Sequence, residues 1–171
     1  MELFKKIFVF LLITVTIDYS SACNGYKMTM IKLENTAGDD AVLKIDPDTT
    51  VSMTKDCEIV VKGCAETKDF NTATVKYTIL KNGNRITSGS TDVCEELKKD
   101  TKGIATGLMS FGLPKSCPIK KMKQCADGSQ KISIASHKNL LPLAAGTIDM
   151  TIDVTHDTGK SGMKCTLKIS R

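Results

Sequence analysis

The chain has 171 residues, a formal net charge of +5, seven cysteines and no tryptophan. Positive charge this modest and this widely spread, with few aromatic rings, argues against a nucleic-acid-binding surface, which needs a basic patch or a platform of stacking rings. The length fits one ordinary domain behind a leader.

The first 22 residues predict a cleavable secretory signal peptide. Two lysines precede an apolar segment at residues 7–17, which is too short to span a bilayer, and small residues typical of a cleavage site follow up to Ala22. A buried core helix is the alternative, but Asp18 and these small residues argue against it. We therefore expect residues 23–171 to form the mature domain, located outside the cell or in the lysosomal lumen.

In the first half of the mature chain, apolar residues alternate with polar ones, as in strands with one buried face. Val75, Tyr77 and Ile79 alternate with threonines and a lysine, and the Asn82-Gly83-Asn84 run after them predicts a turn. The strands predicted in this half are residues 26–33, 41–45, 50–53, 58–65 and 73–80.

A segment in the middle of the chain breaks the strand pattern. The Asp-x-x-Glu spacing from Asp92 to Glu95 is that of a capping box and predicts a short helix that ends near Lys99. Apolar residues follow among glycines, and they either plug one end of the core or form an apolar rim around a ligand mouth. The residues assigned to that rim are Leu108, Met109, Phe111, Leu113 and, from a later segment, Leu141.

The C-terminal part gives the clearest strand pattern. Residues 147–154 alternate strictly between apolar and polar side chains, an Asp-Thr-Gly turn follows, and residues 163–169 alternate in the same way, which predicts a β-hairpin. Shorter strands are predicted at residues 118–122 and 131–135. About eight strands separated by short turns predict an all-β sandwich.

Seven cysteines in a secreted chain predict disulfides rather than a metal site. Neither a Cys-x-x-Cys motif nor a histidine at ligand spacing to a cysteine pair is present in the sequence, so we expect no metal and no cofactor. Cys57 and Cys64 are too far apart along an extended strand to pair with each other. Cys125 would pair with one of them, and its setting after a lysine-rich turn is like that of Cys57, which favours that pair and leaves one thiol free.

Three motifs in the second half occur in a recognisable order. Cys94 leads to the run Gly-Leu-Pro-Lys-Ser-Cys-Pro-Ile-Lys at residues 112–120, Leu-Pro-Leu follows at 141–143, and the last strand contains Gly-Met-Lys-Cys-Thr-Leu-Lys-Ile at 162–169. Together with the leader, they resemble the ML lipid-recognition superfamily, and they look closest to its ganglioside activator branch. The resemblance covers most of the mature chain and is dense from residue 94 to 169.

The resemblance implies an immunoglobulin-like β-sandwich or cup whose two sheets spread around an apolar cavity. By position it also implies disulfides between Cys23 and Cys165 and between Cys94 and Cys117. The other three cysteines depart from the activator's pattern, and the activator's sugar-binding and enzyme-docking residues are not identifiable in this chain. No ganglioside role is therefore carried over.

On such a fold, the inward residues of the strands would line the ligand cavity. Four lysines between residues 115 and 123 lie beside the assigned rim and would meet an anionic headgroup or membrane surface, or would simply form a solvated sheet edge. The residues assigned to the cavity are Val60, Val75, Tyr77, Ile79, Ile132, Ile134, Ile148, Met150, Ile152, Val154 and Leu167.

The sequence therefore predicts a secreted, non-enzymatic protein that binds and transfers a hydrophobic small molecule or lipid: fatty acyl, phospholipid, glycolipid or sterol-like. His137 and His156 lie in no motif that positions a nucleophile, and both are predicted to be surface residues. The alternative is a secreted interaction module that docks a receptor or an enzyme without carrying a ligand.

Overall fold

The structure is a computed structural model that describes residues 22–99, 112 and 114–171. The predicted signal peptide lies outside the described residues except for Ala22, so its cleavage stays a prediction. Leu108, Met109, Phe111 and Leu113 of the predicted rim also lie outside them. No helix within the described ranges is long and apolar enough to span a membrane.

Strands dominate the described regular structure, as the alternation in the sequence predicted. Helix α1 (Val93–Lys99) and helix α2 (Leu141–Ala144) are short, and 3-10 turns lie at Ala22–Gly25 and Ala135–Leu140. The strands are β1 (Lys27–Asn35), β2 (Leu43–Ile45), β3 (Thr50–Met53), β4 (Glu58–Thr67), β5 (Ala73–Lys81), β6 (Asn84–Asp92), β7 (Met122–Ser133), β8 (Gly146–His156) and β9 (Gly159–Ser170).

The strands hydrogen-bond into one continuous antiparallel sheet. Its order is β2-β4-β3-β1-β9-β8-β5-β6, and β7 pairs with β4 beside this path. Side chains of β2, at one end of this order, face the same interior as side chains of β5 and β8 near the other end. The sheet therefore curls into a cup, which is the all-β sandwich class that the sequence predicted.

The predicted C-terminal hairpin is confirmed. Strands β8 and β9 pair along their whole length and end where His156 lies opposite Gly159. At the turn, the Asp157 carboxylate accepts hydrogen bonds from the backbone N–H groups of Asn71 and Thr72 and from the Asn71 side-chain amide. These bonds hold the pKa of Asp157 below its ordinary value, and they fix the hairpin to the segment that enters β5.

The sequence did not predict strand β6. Most of its side chains are polar and exposed, because it is the last strand at one edge of the sheet. An edge strand that is wet on both faces has no alternation to detect. Gly89 on β6 lies opposite Tyr77, and a Cβ there would come within 2.7 Å of the Tyr77 hydroxyl oxygen, so glycine makes room for the tyrosine ring.

Strand β7 replaces the two short strands predicted at residues 118–122 and 131–135. The polar run Asp127-Gly128-Ser129 resembles a turn in the sequence, but in the structure the strand continues through it with a bulge opposite Val60 and Lys62. Gly128 has φ +87°, and a Cβ at this position would lie 2.7 Å from the Lys62 side chain. Glycine therefore permits the bulge that keeps β7 in one piece.

Two clusters of buried apolar residues stand out among the described residues, while others such as Val61 and Ile169 belong to neither. The helix cluster contains Val42, Phe70, Ala73, Leu97 and Ile119, and it lies under α1. The disulfide cluster contains Cys23, Cys57 and Leu141, with Tyr26, Met53 and Ile134 packed against it.

Two of the three predicted disulfides are wrong. The structure joins Cys23 to Cys57 and leaves Cys165 as a free, buried thiol. The register of β1 and β9 explains why. Cys165 lies opposite Leu33 near the end of β1, whereas Cys23 comes before Lys27, which starts β1 opposite Ser170. Cys23 and Cys165 therefore lie at opposite ends of this strand pair, too far apart for a bridge.

The predicted Cys57–Cys125 bridge is replaced by a Cys64–Cys125 bridge. Cys64 on β4 lies directly opposite Cys125 on β7, with a Cα–Cα distance of 4.0 Å. Cys57 lies seven residues earlier, before β4 begins. The remaining bridge, between Cys94 and Cys117, is present as the resemblance implied.

Candidate functional site

A cavity of about 340 Å³ lies inside the cup, and its walls are apolar. Ligand pockets in proteins usually have volumes of about 300–1,000 Å³ and mostly hydrophobic walls. The lining residues come from β2, β5, β8, β9 and α1, from the end of β4 and from the segments that contain Phe70 and Ile119. This is the candidate functional site.

Strands β5 and β8 supply the main wall through the period-two alternation of their side chains. Val75 lies opposite Val154, Tyr77 opposite Ile152 and Ile79 opposite Met150, so all six side chains share one face of the sheet. Met163 of the adjacent strand β9 extends this wall.

Helix α1 and Ile119 close one side of the cavity. Val93 and Leu97 of α1 line it, and the helix starts with the predicted cap, in which the Asp92 carboxylate accepts a hydrogen bond from the Glu95 backbone N–H at 2.9 Å. The Cys94–Cys117 bridge joins α1 to the segment that carries Ile119. Two backbone hydrogen bonds then pair Ile119 with Phe70, which also lines the cavity.

The cavity residues predicted on β5 and the outer part of β8 do line this space: Val75, Tyr77, Ile79, Met150, Ile152 and Val154. Ile148 and Leu167, which oppose each other two pairs beyond Met150, do not line it. Alternation fixes the face on which a side chain lies, but it does not fix where along the strand a cavity ends.

The remaining predicted residues lie elsewhere in the fold. Val60 and Ile132 belong to the β4–β7 strand pair, which contributes only Thr67 to the lining. Ile134 packs against the disulfide cluster, and Leu141, predicted at the rim, is a buried member of that cluster. Ligand contact by any predicted residue stays a prediction.

His156 lines the cavity, although the sequence predicted it to be a surface residue. It is predicted at the surface because it follows a strand and precedes a turn, but it is only 7% exposed. Its ring meets Phe70 edge to face with 4.5 Å between centroids, and its Nε2 lies 2.9 Å from the Ser161 hydroxyl. Burial lowers the pKa of His156, and the nearby Asp157 carboxylate opposes this only in part.

The contact between His156 and Ser161 resembles half of a nucleophilic site, so its surroundings matter. The Ser161 hydroxyl also accepts a hydrogen bond from the Leu43 backbone N–H at 2.7 Å. Nδ1 of His156 has no hydrogen-bond partner among the described residues, so the carboxylate that would orient a catalytic histidine is missing from the described ranges. The pair thus serves to tie β2 to the β8–β9 hairpin, and the absence of enzyme activity stays a prediction.

Within the predicted lysine cluster, Lys120 directly follows Ile119 of the cavity wall, whereas Lys123 lies on β7 opposite Glu66. Lys115, Lys120, Lys121 and Lys123 are all exposed, and the backbone N–H of Lys121 donates to the Asp69 carboxylate. No group of three or more histidine, cysteine or acidic side chains in the described part of the chain is arranged to hold a metal ion.

Comparisons with known proteins give one informative relative. No family model matches the chain. Chicken MD-1, solved in complex with lipid IVa, overlaps 82% of this chain and 96% of its own length. The TM-score of 0.33 and the 14% identity are too low to support a conclusion about this chain. The Sporozoite-associated mosquito saliva protein 1 of Anopheles gambiae is 34% identical over 152 residues, which are 87% of this chain and 84% of that protein. The chain therefore belongs to the same family as this mosquito saliva protein.

Proposed function

We propose that the mature chain is a secreted, non-enzymatic carrier that holds one hydrophobic molecule in the cavity between β2, β5, β8 and α1. The observation that carries this proposal is the 340 Å³ interior with apolar walls. A protein interior is normally packed at the density of an organic crystal, so an apolar space of this size is unusual unless a ligand fills it. The sequence resemblance to the ML lipid-recognition superfamily favours the same function.

Binding would draw its free energy from burial of the ligand's apolar surface. Each CH₂ group removed from water contributes about 0.8 kcal/mol, so a short acyl chain needs few polar contacts. Met150 and Met163 lie in the wall, and their flexible thioethers adapt to ligands of different shape. Fatty acyl, phospholipid, glycolipid and sterol-like ligands are all candidates. Lys120 and Lys121, which follow the lining residue Ile119, would meet an anionic headgroup or membrane surface outside the cavity.

Secretion of the mature chain is part of this proposal. Three disulfides are typical of an oxidising compartment, and the relative is by name a saliva protein. We infer that residues 23–171 act outside the cell.

The first test is native mass spectrometry of the secreted, disulfide-bonded protein, followed by organic extraction and lipid analysis. A carrier should show a stoichiometric hydrophobic adduct, or should take up added fatty acid, phospholipid or sterol after extraction. A clean mass that stays unchanged with every added lipid would contradict the proposal.

A matched pair of variants locates the adduct. Val75→Phe fills the cavity from β5, whereas Lys76→Phe places the same ring on the exposed face of the same strand. We expect Val75→Phe to abolish the adduct while the far-ultraviolet circular dichroism spectrum stays native, and Lys76→Phe to retain it. Equal binding by both variants would place the ligand outside this cavity.

The second candidate is a secreted interaction module. The relative's name describes it as associated with sporozoites, which favours a role for the protein surface rather than the interior. This candidate predicts that delipidated protein and the Val75→Phe variant still bind the partner surface. If the protein instead acts by delivering a ligand, both preparations should lose biological activity.

A further inference from the structure

One buried polar atom just behind the apolar surface of the cavity has no hydrogen-bond partner. His156 lines the cavity and is 7% exposed, and its Nδ1 is buried with no partner among the described residues. Two other lining residues carry a polar group. The Thr67 hydroxyl donates to the Lys120 carbonyl at 3.2 Å, and the Tyr77 hydroxyl lies over Gly89 of β6. An unpaired buried polar atom is costly, so Nδ1 marks a place where a ligand group would be stabilised.

Hydrogen-bond counting favours one tautomer of the neutral imidazole. Within the described ranges, the Ser161 hydroxyl meets only the Leu43 backbone N–H and Nε2 of His156. One lone pair of the hydroxyl accepts from Leu43, so its single proton is satisfied only by donation to Nε2. In the neutral ring the proton then lies on Nδ1, which is a donor that needs an acceptor.

The charges of the wall narrow the class of acceptor. None of the lining residues carries a formal charge at neutral pH, since burial keeps the His156 imidazole neutral. A carboxylate or phosphate drawn inside would therefore be an uncompensated buried charge, which is far more costly than a buried neutral oxygen. The uncharged wall therefore favours a ligand whose oxygen accepts a hydrogen bond and carries no charge.

We propose that the cavity holds a neutral oxygenated hydrocarbon, such as an aldehyde, ketone, ester or alcohol, whose oxygen accepts a hydrogen bond from Nδ1 of His156. This inference rests on the carrier function proposed above and specifies its ligand. The proposal requires the ring to turn, because Nδ1 is buried behind the apolar surface of the cavity. The apolar remainder of the molecule lies along β5 and β8, against Tyr77 and Ile152.

The experiment compares ligands of nearly equal size that differ in the polar group. Octanal, 1-octanol, nonane and octanoate are titrated against delipidated protein at neutral pH, and each displaces the neutral fluorescent probe N-phenyl-1-naphthylamine. The variant is His156→Phe, which keeps a ring beside Phe70 and removes Nδ1. The matched control is His137→Gln, which removes the other imidazole of the chain from the exposed 3-10 turn at Ala135–Leu140.

We expect His156→Phe to weaken octanal and 1-octanol binding about tenfold, the effect of one buried hydrogen bond, and to leave nonane binding unchanged. His137→Gln should retain the preference for octanal, and octanoate should bind wild type more weakly than octanal does. Parallel changes for octanal and nonane, or tighter binding of octanoate, would overturn the proposed ligand class while leaving the carrier function intact. No binding of any of the four to wild type would overturn the carrier function as well.

A second measurement needs no change at His156. The chain has only two histidines, so nitrogen NMR of imidazole-labelled protein, assigned with His137→Gln, resolves the His156 ring. We expect the proton on Nδ1 and a shift of that resonance with octanal but not with nonane. A proton on Nε2, or identical spectra with the two ligands, would contradict the proposed hydrogen bond.

Discussion

The helix cluster and the disulfide cluster are both buried, but only the helix cluster borders the cavity. Phe70, Ala73, Leu97 and Ile119 of the helix cluster line the 340 Å³ cavity, whereas no member of the disulfide cluster does. In the disulfide cluster the Cys23–Cys57 bridge is itself core, because both cysteines are buried against Leu141.

The difference separates the tasks of stability and binding. A cross-link inside a packed cluster supplies stability that does not depend on filling every space elsewhere. The helix cluster can then remain hollow, with its own bridge between Cys94 and Cys117 placed beside the cavity to hold α1 over it. Changes in the disulfide cluster should therefore affect mainly stability, and changes in the hollow helix cluster mainly ligand binding.

Breaking the disulfide cluster should have the largest effect. We expect the double replacement Cys23→Ala and Cys57→Ala to lower the free energy of unfolding by about 2–5 kcal/mol, because it removes a cross-link and the packing of two buried side chains. Urea denaturation of the secreted protein measures this loss.

The matched control for this prediction is Cys165→Ala. Cys165 is buried but unbridged in the structure, so its replacement removes only a small side chain and should cost about 1 kcal/mol. A loss as large as that of the double variant would restore the Cys23–Cys165 bridge that the resemblance implied. Peptide mapping under non-reducing conditions distinguishes the two pairings directly.

Two leucine replacements sharpen the comparison of the clusters. Leu141 and Leu97 are each 5% exposed, one in each cluster, so their burial does not differ. We expect Leu141→Ala to cost about 3 kcal/mol because it opens a new hole in packed surroundings. Leu97 already has cavity on one side and makes fewer contacts to lose, so Leu97→Ala should cost about 2 kcal/mol or less. Equal costs in delipidated protein would mean that the helix cluster is as tightly packed as the other.

The sequence predicted the strands whose two faces differ and missed those whose faces do not. Residues 147–154 alternate strictly, and β8 runs through them, whereas β6 is polar on both faces and leaves no pattern. The polar run at Gly128 has the composition of a turn, but the bulge it forms depends on β4 as a partner. Pairing between distant strands is information that a local pattern does not contain.

The candidate site was predicted only where it follows strand alternation. Val75 and Ile152 could be assigned to one face from period two alone. The burial of His156 depends on Ser161 across the hairpin and on Leu43 from β2, and the pairing of Cys23 depends on the register of β1 against β9. Both arise from tertiary contacts, and no residue near either one signals them in the sequence.

Acid should reveal the smallest difference between the two clusters. Burial lowers the pKa of His156 in the folded protein, so between that pKa and about pH 6.5, the ordinary value, the unfolded chain binds more protons than the folded one. The stabilisation is complete above about pH 6.5 and is lost as the pH falls through the lowered pKa, with a slope of at most about 1.4 kcal/mol per pH unit. We expect His156→Phe to remove this slope from urea-denaturation midpoints measured between pH 7.5 and 5, whereas His137→Gln and Leu141→Ala keep it. If His156→Phe retained the full slope, the acid sensitivity would come from residues outside the cavity wall. Loss of the slope in His156→Phe would show that protonation of His156, beside the helix cluster, destabilises the fold.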